Sequence, residues 1–373
     1  FDNPLLVKDS LTEWGYNGYG DSPVNKIQVG NRWIGPSHPC FITAEIGINH
    51  NGDMGIAHRM VDAAAEAGAD AVKFQNYEVA DFLANEDLLY SYQSKGKDIT
   101  ESQVDMYKRY ELSVEQLEEL KAHCDLRNIV FFSTPTGLSG IQTLKKLGSP
   151  LLKNGSDFLT HLELIRAMAE TGIPTVLSTG MATAEEIDDA VNAFRDAGGR
   201  DLILLHCTSS YPTPSQDINL RRIPVLQQAF ECLVGFSDHS EGSAAAIASI
   251  VLGSCFIEKH FTLDRNLPGP DHWFSSDPGQ LKQLIEGLRQ AELALGSSRL
   301  APAPSEQFGR EQFRLSCVAA RDLPKGTKIF VEDLHIKRPG TGIPPKLKPS
   351  LIGLVLKHSV KSGQAFKWED FYE

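Results

Sequence analysis

The chain has no apolar run approaching the ~20 residues that cross a bilayer. Phe1 to Gln28 is polar and aromatic, without the apolar centre of a secretory leader. Basic residues are outnumbered, 36 Lys and Arg against 48 Asp and Glu, for a formal net charge of -12. That balance excludes nucleic acid and anionic membrane surfaces as general partners. It leaves room for a small anion held by a few lysines in a pocket. Cysteine is sparse: residues 40, 124, 207, 232, 255 and 317 form no Cys-x-x-Cys pair. They lie mostly in apolar runs, as reduced core thiols of a cytoplasmic protein do.

What the chain does have is a repeat of form. From Pro39 onward, short apolar runs end in polar residues and are followed by amphipathic stretches. The runs predict strands at 41–46, 71–74, 129–132, 151–153, 175–177, 202–206, 234–237 and 255–259. The stretches between them predict helices at 56–67, 114–124, 141–147, 162–170, 184–194, 244–252 and 281–295. Thr183 and Glu186 form a capping-box pattern, and Gly68, Gly148, Gly172 and Gly198 stand where helices stop. Strands that are apolar throughout imply a parallel sheet covered on its outer face. Eight such units predict an α/β fold, a (β/α)8 TIM barrel over residues 36–298. A doubly wound open sheet is the alternative, although no Gly-rich phosphate fingerprint opens the first helix.

Three further segments flank the barrel. Residues 1–35 read as an N-terminal extension ending in a hairpin, Lys26-Ile-Gln-Val, Gly30-Asn31, Arg32-Trp33-Ile34, suited to plug one barrel end. Residues 299–313 read as a linker. Residues 314–373 lose the helical pattern and carry an internal echo. Leu323-Pro-Lys-Gly-Thr-Lys-Ile-Phe-Val-Glu-Asp-Leu resembles Val360-Lys-Ser-Gly-Gln-Ala-Phe-Lys-Trp-Glu-Asp-Phe, which predicts a small, mainly β domain with pseudo-symmetry.

In such barrels the chemistry sits at the C-terminal strand ends. Here those ends offer Glu45, Asn49 and His50; Lys73, Gln75 and Asn76; Ser133 and Thr134; Lys153 and Ser156; Ser178 and Thr179. They continue with His206, Thr208, Ser209 and Tyr211; Ser237, Asp238 and His239; and Glu258, Lys259 and His260. Lysines and hydroxyls converging on one mouth suit a phosphate, or a phosphate plus a carboxylate. His239 and His260 end adjacent strands, where two imidazoles hold an open, exchangeable divalent metal or simply hydrogen-bond in a core. Glu45 and Asp271 are candidates for proton handling, hydroxyl binding or a structural ion pair. Arg338, in a sharp basic turn of the small domain, is a candidate to lean over a barrel mouth. His38, His58, His123, His161, His335 and His358 read as surface or packing residues.

The motifs Ala44-Glu-Ile-Gly-Ile-Asn-His-Asn-Gly, Val72-Lys-Phe-Gln, Phe132-Ser-Thr-Pro, Leu177-Ser-Thr-Gly-Met and Leu205-His-Cys-Thr-Ser-Ser-Tyr-Pro-Thr-Pro point further. So do Gly235-Phe-Ser-Asp-His-Ser, Ile257-Glu-Lys-His-Phe-Thr and Pro268-Gly-Pro-Asp. From about Lys26 to the C-terminus the chain resembles the sialic acid synthase family, the phosphoenolpyruvate-condensing nonulosonate synthases. Its tail resembles that family's antifreeze-like (SAF) domain, with Lys337-Arg-Pro-Gly-Thr-Gly at the matching turn. The resemblance implies a divalent metal, Mn2+ with Mg2+ or Co2+ as alternatives, held by His239 and His260. It implies that Lys73, Thr134, Lys153, Ser156, Ser178, Ser209 and Ser237 hold phosphoenolpyruvate, and that Glu45, Gln75, Tyr211 and Asp271 face an amino-sugar aldose. It also implies a domain-swapped homodimer in which Arg338 reaches in from the partner chain.

The implied reaction joins phosphoenolpyruvate to an open-chain N-acylated hexosamine, such as N-acetylmannosamine or a 2,4-diacetamido-trideoxyhexose. The products are a nine-carbon 3-deoxy-2-keto acid and phosphate, with Glu45, Glu258 and Asp271 as the catalytic acids. The same chemistry on another aldose is the nearest alternative. A Schiff-base aldolase using Lys153 or Lys259, or a binding module using the tail on ice or carbohydrate, are the others. Two features depart from the family pattern. Phe158 stands where many members carry an acid, with Asp157 one place earlier, and a one-residue shift on a strand reverses the side-chain face. Trp273 and Phe274 occupy a loop that is smaller or basic elsewhere, which suggests a less polar acceptor pocket for a deoxy sugar.

Overall fold

The alternation of strands and helices closes on itself. In the computed structural model, which describes residues 26–84 and 87–372, a hairpin of β1 (Ile27–Val29) and β2 (Arg32–Ile34) comes first. There follow β3 (Phe41–Gly47), β4 (Ala71–Asn76), a second hairpin of β5 (Leu89–Ser94) and β6 (Lys97–Ser102), and β7 (Val130–Pro135). The series continues with β8 (Leu152–Asn154), β9 (Thr175–Ser178), β10 (Leu202–Cys207), β11 (Leu233–Asp238) and β12 (Phe256–His260). β3, β4 and β7 to β12 form a closed barrel in the order β10-β11-β12-β3-β4-β7-β8-β9, every pair parallel. The chain divides into two units between Ser297 and Ser298. The extension read over residues 1–25 lies outside the described residues.

Two apolar layers explain the continuous strand patterns. Outward side chains such as Ile42, Ala44, Val72, Leu204 and Val234 pack under the helices. Inward ones at the N-terminal strand ends, among them Phe41, Ala71, Phe132, Val176, Ile203 and Phe256, form a separate cluster. Ile27, Val29 and Ile34 of the first hairpin belong to that inner cluster, so the hairpin plugs the N-terminal end. Each of these three side chains is almost fully buried, worth roughly 1.5–3 kcal/mol apiece. The plug leaves the C-terminal end as the open one.

Helices flank the strands at Met54–Ala67, Val114–Leu126, Leu138–Lys146, Leu162–Glu170, Ala184–Asp196, Ala244–Val251 and Pro278–Leu295. Thr183 and Glu186 form the capping box, and the four stop glycines have positive φ. Three regions differ from the sequence expectation. Arg222–Phe230 is a further helix between β10 and β11; its Pro224 reads as a breaker but sits in the first turn, where its missing N–H costs little. The β5–β6 hairpin and the helix Gln103–Tyr110 are inserted after β4; the hairpin strands are largely exposed and so lack a core-facing alternation. The segment read as a linker contains the helix Gln307–Gln312.

In the second unit, β13 (Ser316–Ala319) pairs antiparallel with β14 (Leu334–Lys337) over a core that includes Cys317, Ile329, Leu356 and Phe366. The internal echo is a real two-fold likeness. Leu323 and Val360 exchange both backbone hydrogen bonds at 2.8 Å. Asp333 accepts from the N–H of Phe330 at 3.0 Å, and Asp370 accepts from that of Lys367 at 2.7 Å. Each closes a matching 3-10 turn. All six cysteines are buried, and none forms a disulfide among the described residues. No helix among the described residues is long and apolar enough to cross a membrane.

Candidate active site

The period of two along a parallel strand decides which polar residues reach the barrel axis. On β12, Glu258 and His260 line a cavity of about 460 Å3 at the C-terminal mouth, and Lys259 does not. Lys259 instead pairs with Asp238 at 2.9 Å and donates to the Ser240 carbonyl, fully buried on the outer side. On β11 the same rule turns Ser237 and His239 inward and Asp238 outward. The acid, base and imidazole that stand side by side in sequence are thus split. His206 is also outside the cavity, bonded to the Ile218 carbonyl at 2.5 Å and stacked on Phe236. Asn49 bonds to Phe261 and Ser275 rather than to the mouth.

Of the fifteen residues to which the family resemblance gives a role, fourteen line the one cavity. They are Glu45, Lys73, Gln75, Thr134, Lys153, Ser156, Ser178, Ser209, Tyr211, Ser237, His239, Glu258, His260 and Asp271. The fifteenth, Arg338, lies in the second unit, where it donates to the Phe313 carbonyl at 3.1 Å and covers the Phe313 ring.

At the bottom of the cavity two ammonium groups and two carboxylates are interleaved. Lys73 sits 3.3 Å from Glu45 and 3.2 Å from Glu258. Lys153 lies 3.8 Å from Glu258 and donates to Ser178 at 2.7 Å. Ser237 donates to Glu258 at 3.0 Å, Lys73 donates to Thr134 at 3.3 Å and Gln75 donates to Glu45 at 3.3 Å. All four charges are buried, and a buried charge persists only with partners. Burial pushes Glu45 up, to about 7, against the pull of Lys73 and with a further push from Glu258. Burial also acts on Glu258, but Lys153 and Lys73 outweigh it and hold that carboxylate ionised well below the usual range. Burial lowers Lys153, whereas Glu258 and Glu45 keep Lys73 raised. One acid poised to carry a proton and one held ionised is a working division of labour.

The two histidines face each other on neighbouring strands, ring centroids 5.4 Å apart. Nδ1 of His239 bonds to the Thr208 carbonyl at 2.9 Å and Nε2 lies 3.3 Å from the Ser237 hydroxyl, which orients the ring. Burial, then His239 and Lys73, push His260 well below its usual range, so its ring is neutral. Its Nδ1 is buried without a hydrogen-bond partner, and Asp271 stands 3.8 Å away. Two imidazoles at adjacent strand ends are donors suited to an open divalent-metal site, while no group of three or more His, Cys, Asp or Glu able to hold a metal occurs among the described residues. Tyr211 packs on His239 at 4.3 Å and Phe274 packs on His260 at 5.1 Å, bracing both rings.

Two sequence readings are corrected here. Trp273 and Phe274 do not line the cavity; Phe274 supports His260 and Tyr211, and the Trp273 carbonyl accepts from Arg265. Asp157 and Phe158 are not on a strand but on a 3-10 turn, Ser156–Phe158, so the strand face rule does not apply. Both side chains reach the cavity. Sequence reasoning also missed Tyr77, Phe82, Met106 and Tyr107, which line it from the insertion after β4. Their exposed neighbours hid the signal.

This fold and mouth define a (β/α)8 barrel protein whose C-terminal cavity gathers a lysine–glutamate cluster beside a pair of histidines. The NeuB family model matches residues 60–299, and the SAF domain model matches residues 316–371. The chain is 39% identical over 340 residues to N,N'-diacetyllegionaminic acid synthase of Legionella pneumophila, covering 90% of this chain and 95% of that protein. It is 32% identical over 345 residues to pseudaminic acid synthase of Campylobacter jejuni, covering 92% and 100%. The crystal structure of N-acetylneuraminic acid synthetase from Leptospira borgpetersenii, in complex with citrate, matches with a TM-score of 0.69 and 36% identity, over 77% of this chain and 95% of that one. The chain belongs to the NeuB family and is an enzyme of the nonulosonic acid synthase class.

Proposed function

We propose that the barrel condenses phosphoenolpyruvate with the open-chain aldehyde of an N-acylated hexosamine, giving a nine-carbon 3-deoxy-2-keto acid and phosphate. The observation that carries this is the buried lysine pair, Lys73 and Lys153, tied to Glu258 at the mouth and ringed by Thr134, Ser156, Ser178, Ser209 and Ser237. Lysines give charge and hydroxyls give direction to a phosphate and a carboxylate. The acceptor lies toward Gln75, Tyr211 and Asp271.

C3 of phosphoenolpyruvate attacks the aldehyde carbon, and the aldehyde oxygen takes a proton. Water adds at C2, and the tetrahedral intermediate expels phosphate by C–O cleavage. Glu45, raised by burial, is placed to give the proton, and Glu258, held ionised, is placed to orient the water and take its proton. Asp271 serves the acceptor beside His260. His239 and His260 would hold Mn2+ or a similar ion, and a bound cation supplies Lewis acidity to the aldehyde oxygen. In the same reading the working form is a homodimer, with Arg338 of the partner subunit completing each mouth; the resemblance of the tail supports this, and removal of residues 298–373 tests it. Phosphoenolpyruvate carrying 18O at the bridging position should release labelled phosphate, only with an aldose present and only without EDTA. Acceptor-independent release, unlabelled phosphate, or borohydride trapping of Lys153 would overturn the reading.

A further inference from the structure

Asn49 and Asn51 belong to the motif that follows β3, yet neither lines the cavity. Their bonds run instead to the loop between β12 and the helix Pro278–Leu295. That loop carries Asp271, whose carboxyl group stands 3.8 Å from His260. The loop is closed at its base, where the Thr262 N–H donates to the Ser276 carbonyl at 2.9 Å and the Ser276 N–H donates to the His260 carbonyl at 2.8 Å. Around Asp271 it is held twice more. The Asp271 carbonyl accepts from the Ser275 hydroxyl at 2.5 Å, and that hydroxyl accepts from the Asn49 amide at 3.0 Å. The next side chain, fully buried His272, reaches Thr262 through Nδ1 at 2.7 Å and Asn51 through Nε2 at 3.2 Å. Burial holds that ring neutral, so it has one donor and one acceptor, and the two partners take both. Gly269 packs over the contact: its φ is +142°, and a Cβ there would meet His272 at 2.9 Å and Asn51 at 3.1 Å. Asn51 itself lies in the left-handed region, at φ 55°, which asparagine tolerates.

Resting on the condensation proposed above, we infer that Asn49 and Asn51, through Ser275 and His272, clamp Asp271 in place for the acceptor and are positioning residues of the reaction. The carboxyl group is fixed from behind by side chains that do not enter the cavity. Displacing such a group by about 1 Å costs on the order of a hundredfold in rate. Lys73 and Lys153 are held by other partners, so the clamp serves the acceptor and not phosphoenolpyruvate.

Asn51→Gly tests this, because it removes the amide and suits the left-handed backbone. Turnover is followed by phosphate release with Mn2+ and saturating phosphoenolpyruvate, using N-acetylmannosamine and the 2,4-diacetamido-trideoxyhexoses. The variant should lose about ten- to a hundredfold in kcat/KM for the acceptor, while its calorimetric affinity for phosphoenolpyruvate is unchanged. Asn51→Asp, which keeps an oxygen facing His272, should recover most of that loss. In an Asp271→Asn background, Asn51→Gly should cost no more than about twofold, since the group it positions is already gone. A full cost in that background, or an equal loss of phosphoenolpyruvate affinity, makes the contacts merely structural and overturns the inference. Amide exchange of residues 261–276, measured by mass spectrometry without substrate, should quicken in Asn51→Gly. If the wild type turns over no acceptor, the condensation is wrong, and quickened exchange confined to this loop still upholds the clamp. Unchanged exchange removes the clamp whatever the chemistry.

Discussion

Replacing Glu258 by Gln keeps the side-chain volume and removes the carboxylate that Lys73 and Lys153 share. At 3.2 and 3.8 Å, and with an effective dielectric of about 20, the two attractions are each worth roughly 4–5 kcal/mol before desolvation. Breaking a buried pair by removing one partner costs about 3–5 kcal/mol, because the remaining charges stay buried. The Gln oxygen still accepts from Ser237, so the low end of that range, about 3 kcal/mol, is expected in urea unfolding of the barrel. The second half of the prediction is more selective. With Glu258 gone, Lys73 keeps Glu45 at 3.3 Å while Lys153 loses its ion pair, and an anion that supplies the missing charge is bound more tightly. Phosphoenolpyruvate should stabilise Glu258→Gln more than it stabilises the wild type, with affinity at least tenfold higher, while turnover falls. A variant within about 1 kcal/mol of wild type, with unchanged phosphoenolpyruvate affinity, would refute the shared-carboxylate reasoning.

Glu45→Gln should lower kcat by ~10²–10⁴-fold, the usual scale of proton transfer; wild-type kcat should decline on the alkaline side as pH rises through about 7, and the variant should lack that decline. Lys259→Met leaves Asp238 buried and unpaired, so it should cost about 3–5 kcal/mol of stability yet leave the KM for phosphoenolpyruvate unchanged. A Schiff-base role for Lys259 predicts the reverse. His50 and His272 are pushed by burial to about 4, so below about 6.5 the unfolded chain binds protons that the folded one does not. Stability should therefore fall with pH between about 6.5 and 4, by roughly 3 kcal/mol per imidazole, and a double His50→Asn, His272→Asn variant should flatten the slope.

Strand ends were legible because a buried parallel strand must be apolar until it leaves the barrel, so the first polar residue marks the mouth. That is why Lys73, Lys153, Ser237 and Glu258 could be named from sequence alone. What could not be read was which of several consecutive polar residues turns inward. Glu258, Lys259 and His260 are all hydrophilic, and composition gives no sign that the middle one pairs with Asp238 on the outside. The aromatic lining was hidden for another reason. Tyr77, Phe82, Met106 and Tyr107 come from an insertion without barrel periodicity, and Phe158 from a 3-10 turn that looks like strand continuation. An apolar lining was anticipated at Trp273 and Phe274, which are outside the cavity; the aromatic side chains that line it include Tyr77, Phe82, Tyr107 and Phe158.

The distribution of charge explains how four ionisable side chains persist so deep in the barrel. Two lysines and two glutamates nearly cancel, so the cluster carries no large unpaired penalty. The balance is uneven in detail: Lys73 stands between both carboxylates, whereas Lys153 has, among the described residues, Glu258 alone within ion-pair distance. That asymmetry holds Glu258 ionised while burial raises Glu45, so one barrel floor presents two carboxyl groups in opposite protonation states.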